Sequence, residues 1–288
     1  MAITYSRPDY SPFLHPLSPS DIRSYLDRLG VDTLPAANFS TLQQLHYLHP
    51  QVFPFESLSP LLGIDVDLET AAIFQKMVVG GRGGYCFEQN LLFGAILCTL
   101  GFEVKSLAGR VLWNVRESKI LPRDHMVLMV RVEGKNYLVD VGFGGNTLTA
   151  PLSMDTKEPQ PTSHEWFRVS RLGNQYVLAI QLKGFWQDMY QFGLEEYLLA
   201  DYQVISWYLG NHSDSVFTQD LMAARTLPEG RYTLKNNQFS IHHKDGSTEK
   251  RNLDSSGELI SLMKSEFKIN LTSLEGLKDK LNKITWGE

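Results

Sequence analysis

Residues 122–145 read PRDHMVLMVRVEGKNYLVDVGFGG. Two largely apolar runs, HMVLMVRV and NYLVDVGF, flank Glu133-Gly134-Lys135-Asn136, the pattern of an antiparallel hairpin. VKSLAGRVLW upstream, and EWFRVSRL, YVLAIQL and FWQDMYQF downstream, have the same two-residue period, which sets in near residue 103. The middle third of the chain therefore reads as an antiparallel sheet or small barrel.

Before residue 103 the apolar spacing is helical. Ser18-Pro19-Ser20-Asp21 caps IRSYLDRL, whose Ile22, Leu26 and Leu29 share one face and whose Gly30 suits the stop. STLQQLHYLHP predicts a second helix, from a cap at Ser40 to a stop at Pro50. LETAAIFQKMVV predicts a third, and CFEQNLLFGAILCTLG a fourth that begins near Tyr85. After residue 200 the pattern is mixed, with a helix in YQVISWYLG, strands in GRYTLKNNQFSIHHKDG, and helices in SSGELISLMKSEF and LEGLKDKLNKI. The expected class is α+β in three parts: 1–102 helical, 103–200 β, and 201–288 mixed.

A chain of 288 residues, 43% of them hydrophobic, has material for a sizeable core and more than one domain. Its net charge of -5 and its lack of a Lys/Arg cluster interleaved with aromatics predict no nucleic-acid partner. No apolar run approaches the ~18 residues of a membrane span, and MAITYSRPDYSPFLHPLSPSD does not have the form of a leader. A cytoplasmic protein with no membrane contact is expected. Cys86 and Cys98 lie in one predicted helix, about 18 Å apart along its axis and on different faces, too far for a disulfide. Free thiols in a reduced compartment follow.

Cys86 stands in GRGGYCFEQN, residues 81–90, in the first turn of the fourth helix. Unpaired N–H groups there favour a thiolate by about 0.3–1 kcal/mol, less than one pKa unit, so a histidine is needed to activate it. The alternative is a small buried side chain. Gly83 and Gly84 suit a turn whose backbone approaches a reacting group closely and supplies oxyanion donors. His125 opens one strand of the hairpin and Asp140 lies on the next. Their odd separation puts both side chains on one face when the loop is even. A two-residue turn at Gly134-Lys135 sets Asp140 opposite Met129, roughly 13 Å from His125, so contact requires a shifted register or a bulge. In contact, Asp140 would fix the imidazole tautomer and His125 would take the thiol proton.

RGGYCFE at 82–88, the His125 strand and VDVGFGG at 139–145 resemble the arylamine N-acetyltransferases, and the chain length and order of parts resemble them too. The resemblance implies an N-terminal helical bundle, a central antiparallel β-barrel and a C-terminal α/β lid, with a cysteine-protease-like catalytic core. It implies Cys86 as the acetyl-accepting nucleophile, His125 as its base and Asp140 as the orienting carboxylate. Phe55 and Phe143 would line the acceptor pocket, and Gly142, Gly144 and Gly145 would let the coenzyme A chain pass close to backbone. PFES at 54–57 is similar to the family's PFEN, with Ser57 in place of Asn. The implied reaction is ping-pong: acetyl-CoA acetylates Cys86, which passes the group to an aromatic amine, hydrazine or N-hydroxyarylamine.

Three other functions share these residues. An amide synthase would use the same triad. A papain-like cysteine hydrolase has the same residue order, but no Gln lies a few residues before Cys86. A binding protein would keep a dead triad. Arg82 reads as a structural ion-pair partner, and Glu88 as a partner of the helix dipole or of Arg82. His46 and His49 share a helix without acidic or thiol neighbours to complete a site, and His242 and His243 face opposite ways on a strand, so no metal is expected. GFGGNT is similar to a dinucleotide loop, but NTLTAPLS does not continue as a helix.

Overall fold

The computed structural model describes residues 17–115 and 121–282. The leader reading of residues 1–16, and residues 283–284 of the expected last helix, lie outside the described residues. Helices in chain order are α1 (Pro19–Leu29), α2 (Phe39–Val52), α3 (Leu58–Leu61), α4 (Thr70–Phe74), α5 (Cys86–Thr99), α6 (Leu199–Asn211), α7 (Val216–Gln219), α8 (Ser256–Ser265) and α9 (Leu277–Leu281). A five-stranded sheet runs β1 (Phe55–Glu56), β10 (Met222–Leu227), β11 (Gly230–Lys235), β12 (Gln238–His243), β13 (Thr248–Asn252). An eight-stranded antiparallel sheet runs β5 (Leu152–Ser153), β4 (Lys135–Val139), β3 (His125–Val132), β2 (Glu103–Val111), β9 (Phe185–Glu196), β8 (Gln175–Leu182), β7 (Trp166–Leu172), β6 (Gln160–Pro161).

The larger sheet is a nearly closed barrel. Its end strands meet through Gln160, whose amide donates to the Ser153 carbonyl (2.9 Å) and accepts from the Ser153 N–H (2.8 Å), as a strand backbone would. The β3–β4 turn sits one residue earlier than expected. Val132 pairs with Lys135, and Glu133 (φ 52) and Gly134 (φ 77) form the turn. A type I′ turn needs positive φ at both positions and favours Gly at the second, which fixes the register. Continued past Val139, that register sets Asp140 opposite Val127, two residues or about 7 Å along the strand from His125. The shift that contact required is therefore present.

Both faces of β3 are covered. Met126, Leu128, Val130 and Val132 pack into the helical core, while Val127 and Met129 join Leu107 and Leu138 inside the barrel. Such a strand reads as an unbroken apolar run. The helix beneath it, α5, is buried along Cys86–Leu97.

Other elements depart from expectation for local reasons. Asn38, not Ser40, caps α2 by accepting from the Thr41 N–H (2.9 Å). That helix continues through Pro50 to Val52, because a proline in the last turn deletes only one N–H. Strand β10 was not legible in MAARTL, which has little β-branched content; β1 and β11 pair with it on either side and impose the conformation. Ser57 docks the first part of the chain onto that sheet, its hydroxyl accepting from the Met222 N–H (2.9 Å). Packing alone requires both glycines of RGG. A Cβ on Gly83 would lie 2.0 Å from the Pro54 carbonyl oxygen, and one on Gly84 would lie 2.7 Å from the Glu88 Cβ.

Beneath this junction lie buried charges. Arg82 donates through Nε (2.9 Å) and Nη2 (2.6 Å) to one oxygen of Glu56, which is 1% exposed. Glu88 pairs with Lys76 (2.6 Å) rather than Arg82, and its second oxygen accepts from the Tyr85 N–H (3.1 Å). Burial raises the Glu56 pKa, but Lys76 and Arg82 outweigh it and hold the group ionised below the usual range. Arg82→Met leaves Glu56 with Lys76 at 4.0 Å and is expected to cost about 3–5 kcal/mol in urea unfolding. A loss under about 1 kcal/mol would place Glu56 in solvent.

Candidate active site

Cys86 is the first residue of α5 and 4% exposed, with its thiol 3.9 Å from the Asp124 carbonyl oxygen. One helical turn on, Asn90 shares its face. The Asn90 amide donates to the Met126 carbonyl (2.8 Å) and to Asp140 Oδ1 (3.0 Å), and its oxygen accepts from the Val141 N–H (3.1 Å). One face of α5 thus carries the thiol and the clamp on the β4 end. His125 Nε2 lies 2.7 Å from Asp140 Oδ2. The Asp124 carbonyl that faces the thiol belongs to the residue just before His125, and with Nε2 taken by Asp140 the imidazole has Nδ1 left for Cys86. Cys86, His125 and Asp140 are brought together.

Charge follows from this geometry. Burial disfavours the His125 imidazolium, but the charge and hydrogen bond of Asp140, with a smaller contribution from Cys86, push its pKa up to about 10. Burial raises the Asp140 pKa, while the His125 charge and hydrogen bonds from His125, Asn90 and the Gly142 N–H (2.9 Å) hold it below the usual carboxylate range. At neutral pH the pair is carboxylate and imidazolium. Among the described residues Cys98 has no such partner, and burial pushes its thiol up to about 12.

A further layer supports the pair. The Asp140 N–H donates to His46 Nε2 (3.3 Å), and His49 lies between the Tyr25 hydroxyl and the Gln89 side-chain oxygen, 2.8 Å from each. Burial pushes both imidazoles down to about 3, so they are neutral packing groups. Among the described residues, no group of three or more His, Cys, Asp or Glu could hold a metal ion. No described helix is long and apolar enough to cross a membrane.

The turn after β4 rests on the nucleophile's own backbone. A Cβ on Gly142 would lie 2.9 Å from both Cα and the carbonyl oxygen of Cys86. Gly142→Ala is expected to displace that turn, costing about 1–3 kcal/mol and slowing alkylation of Cys86. Unchanged thermal stability and alkylation would contradict the contact.

Aromatic rings flank the imidazole. Phe143 meets His125 edge-on at 5.2 Å, and Tyr190 lies 5.0 Å from His125 and 5.5 Å from Phe143. Phe55 packs over Gly144, 3.6 Å from where a Cβ would stand, and Gly145 abuts Thr233. Phe217 lies 6.2 Å from Phe55 and 5.7 Å from Tyr85. Sequence reasoning missed Asn90, Tyr190 and Phe217. A polar residue four positions after Cys86 in an otherwise apolar helix was a usable signal for the first; the other two depend on tertiary folding alone.

A family model described as N-acetyltransferase matches residues 38–275. The arylamine N-acetyltransferase of Mycolicibacterium smegmatis is 41% identical over 260 residues, 89% of this chain and 94% of that one. The arylamine N-acetyltransferase / N-hydroxyarylamine O-acetyltransferase of Salmonella typhimurium is 34% identical over 257 residues, 89% of this chain and 91% of that one. The structure of Mycobacterium marinum arylamine N-acetyltransferase in complex with CoA superimposes with a TM-score of 0.88 at 35% identity, covering 91% of this chain and 99% of that one. Because the match runs through both sheets and the helices that join them, the chain belongs to the arylamine N-acetyltransferase family and is an acyltransferase.

Proposed function

We propose that this enzyme transfers acetyl groups from acetyl-CoA to an arylamine, arylhydrazine or N-hydroxyarylamine by a ping-pong sequence through acetyl-Cys86. The observation that carries the reading is the buried His125–Asp140 pair (2.7 Å) beside the Cys86 thiol, which lies 3.9 Å from the Asp124 carbonyl oxygen. The His125 imidazolium holds the thiol proton on Nδ1, and Asp140 on Nε2 stabilises that charge. The sulfur attacks the thioester carbonyl, and coenzyme A leaves as a thiol with that proton. The acetyl group then resides in a second thioester of similar energy, so neither half-reaction is a trap. An aromatic amine, neutral and nucleophilic at neutral pH, attacks this thioester. Its proton passes to His125 and then to the departing sulfur.

Phe55 and Phe143 form the acceptor wall in this reading, with Phe217 beside them. Gly142, Gly144 and Gly145 leave bare backbone for the coenzyme A chain, although Gly142 also has its contact with Cys86 to satisfy. The division at 103 and 200 is kept as one of chain order, across which the buried cores run: one extends from Leu17 to Val141 and takes in Tyr202 and Leu209. The test is an initial-rate grid of acetyl-CoA against arylamine, arylhydrazine and N-hydroxyarylamine. Parallel double-reciprocal lines are expected, and intersecting lines would require both substrates bound at once and reject the acetyl-enzyme.

A further inference from the structure

The turn that carries Phe143 is closed by Thr147. Its hydroxyl donates to the Asp140 carbonyl (3.1 Å) and accepts from the Phe143 N–H (3.3 Å), and its own N–H donates to the Gly144 carbonyl (3.2 Å). Thr147 is held in turn from the other sheet. Arg231 on β11, 3% exposed, donates through Nη2 to the Thr147 carbonyl (2.8 Å). The same guanidinium grips the Glu165 carboxylate through Nε (2.9 Å) and Nη2 (2.7 Å), and Nη1 reaches the Thr226 hydroxyl (3.3 Å). Next to Glu165, His164 Nε2 donates to the Leu227 carbonyl (2.7 Å) and faces that of Gly230 (3.2 Å), pinning the loop before β7 to the β10–β11 turn. Two residues along β11, the methyl of Thr233 lies 3.0 Å from where a Cβ on Gly145 would stand.

We propose that Arg231, acting through Thr147, is a positioning residue that sets the acceptor wall at Phe143 and not the chemistry at Cys86; this rests on the function proposed above. The division follows from the anchors. Thr147 meets Asp140 at the main-chain carbonyl, whereas the Asp140 carboxylate is held by His125, Asn90 and the Gly142 N–H and not by Thr147 or Arg231. The Phe143 N–H is held by the Thr147 hydroxyl, whose residue Arg231 fixes. A buried two-pronged guanidinium fixes direction as well as charge, which a lysine at the same place cannot do.

The test compares the two half-reactions in Thr147→Val, Thr147→Ser and Arg231→Lys. Acetylation of Cys86 by acetyl-CoA alone is followed by stopped-time mass spectrometry, and kcat/KM for an arylamine by turnover. Thr147→Val and Arg231→Lys are expected to lose about three- to tenfold in arylamine kcat/KM, with Cys86 acetylation within about twofold of wild type. Thr147→Ser, which keeps the hydroxyl, should restore the arylamine value. Should Thr147→Val fail to fold, Arg231→Lys carries the comparison. An equal fall in both half-reactions, or an unchanged arylamine kcat/KM, overturns the proposal. A wild-type protein that takes no acetyl group overturns the proposed function itself, and this inference with it.

Discussion

Cys86→Ala is expected to fold normally and to transfer acetyl groups at least about 10³-fold more slowly than wild type. The loss is large because every bond-making step in the account passes through that sulfur, and no described neighbour can stand in for it. Cys98, on the same helix, has its thiol pushed up to about 12 by burial, so it stays protonated at neutral pH. Folding should survive because the start of α5 is held by Glu88 on the Tyr85 N–H and by Glu88 with Lys76, not by the thiol. Thermal unfolding checks the fold, turnover checks the function, and iodoacetamide should label the variant far more slowly than wild type. Turnover within tenfold of wild type would remove Cys86 from the mechanism.

The second large effect is Asp140→Asn, expected to cost about 10³–10⁴-fold in turnover with little change in fold. Two fixed donors, the Asn90 amide and the Gly142 N–H, converge on Oδ1. An asparagine must therefore keep its oxygen there and turn its NH₂ toward His125 Nε2. That nitrogen then has to accept, the ring proton moves to Nδ1, and the nitrogen facing Cys86 can no longer take the thiol proton. The variant also loses the charge that holds the His125 pKa near 10, leaving burial to push it down. An alkylation rate for Cys86 equal to wild type across neutral pH would show that Asp140 has no hold on the imidazole.

The fold class and family were legible because their signals are local. HMVLMVRV and NYLVDVGF carry their period in the chain itself, and RGGYCFE stands at a helix start that the glycines mark. What escaped depends on partners distant in sequence. The His125–Asp140 approach turned on whether Gly134 sat first or second in its turn, and one residue there moves the register by two. Strand β10 pairs along its whole length with β11, and β1, far upstream, joins its other edge at Ala223 and Ala224. Arg82 was read as structural, but its partner Glu56 could not be chosen over Glu88 until β1 folded against Gly84. Phe217 reaches Phe55 from a four-residue helix with no periodicity to detect.

The central claim is that Cys86 carries the acetyl group between donor and acceptor. It is tested most directly by incubating the protein with acetyl-CoA alone, mapping the acetylated peptide by mass spectrometry, and then adding an arylamine. The account predicts one acetyl group on the peptide containing Cys86, none on that containing Cys98, and its quantitative transfer to the amine. An unmodified Cys86, or an acetyl group that the amine does not remove, would contradict it.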